Sequence, residues 1–227
     1  MCVFDLETTS PDPEDARIVT AFVGLTGGGS DGEVDTWLVN PGIDIPASAT
    51  AVHGITTEHA REHGQDPATA VREILAALYA AWSTGLPVLA YNAPFDLTVV
   101  DRESRRHGGP GLAFVGPVVD PFVIDRAVDP YRKGSRTLGA TCAHYRVTLD
   151  GAHDATADAF TAAGVARAIC WRFPYVAAMT LPELHAAQVR WHAERQASFA
   201  AYLRRVGKPS DGVCGDWPLR VLGGVNV

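Results

Sequence analysis

Phe4-Asp5-Leu6-Glu7-Thr8-Thr9 sets two carboxylates two residues apart inside the apolar run that opens the chain. Strand periodicity puts both acids on one face. If Val3, Phe4 and Leu6 belong to a central strand covered on both sides, ionised carboxylates there need a compensating charge, and a divalent cation is the simplest one. A strand end running into a polar turn, with both acids solvated, accounts for the same residues. The remainder of the chain has to decide between them.

Outward from that stretch, Arg17 to Leu25 is rich in Ile, Val and Phe, Gly27 to Gly32 carries a strong turn signal, and Glu33 to Val39 resumes a strand pattern. These segments predict three strands, the last two a hairpin. Asn40 to Thr56 reads as loop, with His53 beside Gly54 as an ordinary loop histidine. Asp66-Pro67 has the form of an N-cap followed by proline at the first helical position, and Val71, Ile74, Leu75, Leu78 and Trp82 continue at helical spacing. Leu86 to Tyr91 predicts a short buried strand.

Asn92-Ala93-Pro94-Phe95-Asp96-Leu97 follows directly, with Asn92 as a cap and Asp96 in the first turn of a helix leaving a strand end. An acid there gains from the helix dipole whatever its role. Ligands in open α/β sheets also gather at such places. Val118-Val119-Asp120 predicts another strand, Phe122 to Val128 a short helix, and Asp129 to Arg136 a basic loop able to hold phosphates of an incoming strand. Leu138 to Tyr145 reads as helical, and Gly151 to Asp158 opens a long alanine-rich helix reaching about Cys170. His153 and Asp158 stand at His-x4-Asp spacing near its start, an imidazole able to take a proton beside a carboxylate able to hold a metal. Asp154 lies one turn from Asp158, and spacing alone leaves either as the ligand.

Composition bounds the function. The 227 residues fit one domain with an elaboration, about half are apolar, and no run is long enough to cross a membrane as a helix. A cytoplasmic location is the expectation. Cys2, Cys142, Cys170 and Cys214 form no Cys-x-x-Cys pair, which argues against a zinc knuckle or a dense disulfide framework. A net charge of −7 argues against a protein that coats nucleic acid non-specifically, but not against an enzyme acting on a nucleic-acid end.

Asp5-x-Glu7, Asp96 in its Asn-x-Pro-Phe-Asp context and His153-x4-Asp158 resemble, in order, the three motifs of the DnaQ-like (DEDDh) 3′→5′ exonucleases. Val52-His53-Gly54-Ile55-Thr56 is a further family-like segment. Asp-x-Glu-x-Thr is also superficially similar to the Asp-x-Asp-x-Thr of aspartyl phosphotransferases. That chemistry expects a lysine near the nucleophile, and the two lysines, Lys133 and Lys208, sit in the basic loop and the tail. Ser10 departs from the glycine often found after Glu-Thr-Thr in the exonucleases.

The exonuclease resemblance covers roughly residues 2 to 170. It implies a ribonuclease H-like α/β fold, a central mixed five-stranded sheet flanked by helices, with an exonuclease domain at 1–173 and a C-terminal helical extension and irregular tail at 174–227. It further implies two Mg²⁺ or Mn²⁺ ions held by Asp5, Glu7, Asp96 and Asp158, and His153 as general base for the attacking water. Asp158 is preferred to Asp154 by the motif. Thr8, His53, Asn92 and Phe95, with Arg132, Lys133 and Arg136 of the basic loop, are the expected substrate contacts. The implied reaction releases nucleoside 5′-monophosphates from a 3′ end, on single-stranded DNA by family frequency, in the company of a polymerase or a replication or repair complex. RNA trimming, oligoribonuclease action and a non-catalytic nucleic-acid-binding module are the alternatives.

Overall fold

The structure is a computed structural model that describes residues 1–27, 34–113, 115–148 and 155–222. Its centre is a five-stranded sheet of order β3-β2-β1-β4-β5, built from β1 (Cys2–Thr8), β2 (Ile18–Leu25), β3 (Val34–Leu38), β4 (Val88–Leu89) and β5 (Val118–Val119). The sheet is mixed: β1 runs antiparallel to β2, and β2 to β3, whereas β4 is parallel to both β1 and β5. The opening stretch is therefore the central strand, as its apolar character requires. The turn expected at Gly27 to Gly32 falls, beyond Gly27, outside the described residues.

Alternation sorts β1 between two cores. Cys2, Phe4 and Leu6 face one cluster with Ile74, Leu78 and Leu97, from α3 (Pro67–Ser83) and α4 (Ala93–Arg106). Val3 faces the other, with Ala159, Ala162, Ala163, Ala166 and Ile169 of α7 (Ala155–Arg172). Small side chains let α7 lie close to the sheet. Asp5 and Glu7 share the parity of Val3 and so point to the α7 side.

Pairing of β1 with β4 stops at Val3↔Leu89, while pairing with β2 continues to Thr8↔Ile18. The C-terminal half of β1 thus runs past the end of β4, and the chain after β4 turns into α4 beside it. That leaves an open strand end where α4 and α7 converge, the usual place for a ligand in such a sheet.

One segment corrects the sequence reading. The stretch expected as loop up to Thr56 contains α1 (Ala47–His53), and α2 (Thr57–His63) follows, capped by Thr56, whose hydroxyl accepts from the His59 N–H. α1 buries no residue fully, so its apolar periodicity is faint. Gly54, at φ 78°, ends it in the left-handed conformation that glycine adopts without strain.

After α5 (Pro121–Val128), α6 (Leu138–Tyr145) and the single turn α8 (Pro174–Ala177), α9 (Leu181–Arg205) lies along the free edge of β5. Its start carries a capping box between Thr180 and Glu183. Two of its side chains do the work of a sixth strand. Gln188 donates to the Val118 carbonyl at 2.9 Å and accepts from the Asp120 N–H at 2.7 Å, and His185 Nδ1 accepts from the Val118 N–H at 3.1 Å. The tail expected as irregular has no regular element among its described residues, yet it docks: Trp217 is buried in the α3–α4 core, and Arg220 donates its N–H to Thr98 Oγ1 at 2.9 Å. Among the described residues no helix is long and apolar enough to cross a membrane.

Candidate active site

Asp5 and Glu7 come from β1, Asp158 from the first turn of α7, and each offers a carboxylate oxygen within 4.8 Å of the others. All three are half-buried. The donor set is oxygen alone, which fits a hard divalent cation and no thiophilic one. Three carboxylates at this separation repel one another unless protons or a cation intervene. The residues present therefore fit a divalent ion.

Asp96, outside that 4.8 Å group, is buried at the start of α4. Burial pushes its carboxyl well above the usual carboxylate range, and the charges of Asp120 and Glu7 push the same way. The resemblance anticipated Asp96 but said nothing of Asp120, which is fully buried and lifted by desolvation to about 6. Five N–H donors hold Asp120 ionised above that: the main chains of Asn92, Ala93, Phe122 and Val123, and the Trp217 indole at 3.4 Å. It caps α5 and supplies the acceptor that α4 lacks, because Asn92 is in the left-handed conformation and makes no capping bond through its side chain. Its sequence signal was an aspartate before a proline, a common helix start. Nothing in the sequence showed that it also serves α4.

Thr8, His53 and Phe95 line one cleft of about 350 Å³ together with Glu7. His53 ends α1. Its Nδ1 accepts from the Ile55 N–H at 3.1 Å, so the proton of the neutral ring sits on Nε2, which is buried beside the Thr8 main chain. Burial lowers the His53 pKa and the nearby Thr8 main chain opposes it, leaving the ring neutral at pH 7. Asn92 and Phe95 also line a second cleft of about 300 Å³ that shares Pro11 and Phe95 with the first.

The basic loop differs from its expected role. Arg132 and Arg136 donate to the buried Asp125 carboxylate at 2.5 and 2.8 Å, and Tyr145 donates to it at 3.0 Å. Neither guanidinium is presented to solvent, because Asp125 would otherwise be a buried, unpaired charge. Lys133 between them is exposed. His153 and Asp154 lie outside the described residues.

The RNase_T exonuclease family model matches residues 2–166. A DNA polymerase III subunit epsilon-like protein of Rhodobacter capsulatus is 36% identical over 168 residues, covering 70% of this chain and 23% of that protein. The PolC-type DNA polymerase III of Streptococcus sanguinis is 29% identical over 158 residues, 69% of this chain and 10% of that one. The chain thus spans a quarter or less of these curated relatives. Escherichia coli exonuclease I in complex with a dT13 oligonucleotide superposes with a TM-score of 0.62 at 20% identity, covering 77% of this chain and 42% of that one. Exonuclease X in complex with 5′ overhanging duplex DNA gives 0.59 at 18% identity, 82% of this chain and 98% of that one. The family-model match over residues 2–166 places the chain in the RNase_T exonuclease family.

Proposed function

We propose that the protein hydrolyses phosphodiesters one at a time from the 3′ end of single-stranded DNA, using two Mg²⁺ or Mn²⁺ ions. The observation that carries this reading is the convergence of Asp5, Glu7 and Asp158 within 4.8 Å at the open end of the central strand. The family is divalent-metal dependent, and exonuclease I has been seen with single-stranded oligonucleotides, which supports DNA.

Bound at these carboxylates, divalent ions would lower the pKa of water and stabilise charge on the scissile phosphate and the leaving oxygen. Asp5, Glu7 and Asp158 hold that charge, with Asp96 assisting. His153 takes the proton of the attacking water. The water oxygen bonds to phosphorus, the bond from phosphorus to the 3′ oxygen breaks, and that oxygen is protonated, releasing a nucleoside 5′-monophosphate and a chain shorter by one. His53, from the cleft it shares with Glu7, positions the terminal nucleotide. Phe95 gives that nucleotide an apolar wall, and Thr8 and Asn92 border it.

The test is degradation of a 3′-labelled single strand with Mg²⁺. Asp5→Ala and His153→Ala each reduce turnover by about a hundredfold or more, the scale of a lost general base or charge-stabilising group. Full activity in both variants would refute the assignment, and binding without turnover in the wild type would favour a non-catalytic module. Matched DNA and RNA strands read the substrate preference.

A further inference from the structure

Beyond residues 2–166, α9 carries a face that the catalytic reading leaves unused. Arg195, Phe199, Tyr202 and Arg205 follow at spacings of four, three and three, so they lie along one side of the helix. Phe199 and Tyr202 are 37% and 49% exposed, with ring centroids 6.5 Å apart and planes 16° from parallel. Arg195 lies 5.7 Å over the Phe199 ring and Arg205 lies 5.6 Å over the Tyr202 ring. Among the described residues neither guanidinium has an acidic partner.

This face joins the active site. The cleft of about 300 Å³ that shares Pro11 and Phe95 with the catalytic one reaches Phe199 and Arg220, and Phe199 also borders the open groove of about 700 Å³ along Tyr202 and Arg205. Cations crowd the junction. Arg195 sits close enough to the half-buried Arg126 to push its pKa down after burial, and Arg126 and Arg220 both act on His192 in the same sense. Asp216 is the acid bordering that cleft, and its Oδ2 accepts from the Val221 N–H. Asp125 offsets Arg126 and Asp216 offsets the charge around His192 in part, whereas Arg195 and Arg205 have no acidic partner among the described residues.

We infer that this face is a track for the nucleotides upstream of the scissile bond, Phe199 and Tyr202 stacking with bases and Arg195, Arg205 and Arg220 meeting phosphates of a single-stranded polynucleotide. Aromatic rings interleaved with arginines beside an electropositive groove are what a single strand needs for sequence-independent binding. From Arg195 to Arg205 the helix rises about 15 Å, room for a few nucleotides. A duplex would hide its base faces from the rings, so a single strand is the partner that fits. The inference rests on the exonuclease reading for its direction, with the 3′ end in the carboxylate site.

The test is fluorescence anisotropy of 5′-labelled dT15 and dT4 with full-length protein in EDTA, where no cleavage occurs. Replacing both rings (Phe199→Ala with Tyr202→Ala) weakens dT15 by about tenfold or more, the scale of one lost base stack, and weakens dT4 much less. Replacing both arginines (Arg195→Ala with Arg205→Ala) reduces the slope of log affinity against log salt by about 1.4, at about 0.7 per phosphate contact. Melting temperatures report folding, and Arg72→Ala on α3 controls for loss of a surface cation. Unchanged dT15 affinity in both double variants, or equal losses on dT4 and dT15, would overturn the track. Wild-type turnover of the labelled strand with Mg²⁺ is read separately, so failure of the exonuclease reading leaves the binding result interpretable.

Discussion

Asp96, Asp120 and His53 show how single side chains are tuned around the carboxylate cluster. His53 lines the cleft with its Nδ1 committed to the Ile55 N–H and its Nε2 buried beside the Thr8 main chain. Loss of that wall in His53→Ala lowers kcat/KM by about tenfold, read from initial rates on a 3′-labelled strand. The effect falls mainly on KM if the contact is made equally to bound substrate and transition state. Asp5 and Glu7 owe their common direction to strand alternation. Asp158 joins them only because α7 packs over their face of β1.

At the scale of elements, α9 behaves as a cover for the sheet edge. An edge strand as short as β5 leaves backbone groups open, and Gln188 answers two of them. Gln188→Leu keeps the volume but strands the Val118 carbonyl and the Asp120 N–H. It destabilises the protein by roughly 2–4 kcal/mol, measured by urea unfolding. The loss also loosens the loop that holds Asp120 against the start of α4, so metal affinity falls together with stability. A stability loss with metal affinity intact would separate α9 from the site.

For the whole molecule, the buried acids tie stability to pH and to cations. Asp120 binds its proton up to about 6, and Asp96 is raised as well, whereas in the unfolded chain both titrate in the ordinary carboxylate range. The folded state thus holds more protons between those limits. The contribution of these acids is complete below the unfolded values and is lost as pH rises through the folded ones. Without divalent ions, thermal melts therefore show this contribution falling from about pH 4 through about pH 6. Mg²⁺ binds the ionised carboxylates, so its stabilisation grows with pH, reaching about 2.7 kcal/mol at a hundredfold excess over Kd. A Mg²⁺-induced shift in Tm equal at pH 5 and pH 8 would contradict the link between the buried acids and the metal site.

Local chemistry was legible from the sequence. Strand alternation set Asp5 and Glu7 on one face, Pro67 and the Thr180–Glu183 box marked helix starts, and the ordered motifs pointed to the fold and to a carboxylate cluster. These depend on neighbours within a few residues, which a linear chain displays. Three features did not show. α1 buries no side chain fully, so it left little periodicity to read. Arg132 and Arg136 looked like free cations because their partner, Asp125, is marked as buried only by the packing around it. Asp120, Gln188 and Trp217 are far apart in sequence, and the bonds joining them exist only once α9 and the tail have closed over the edge of β5. Burial turns such ordinary residues into charge holders and edge partners, and burial is a property of the packed whole rather than of any segment.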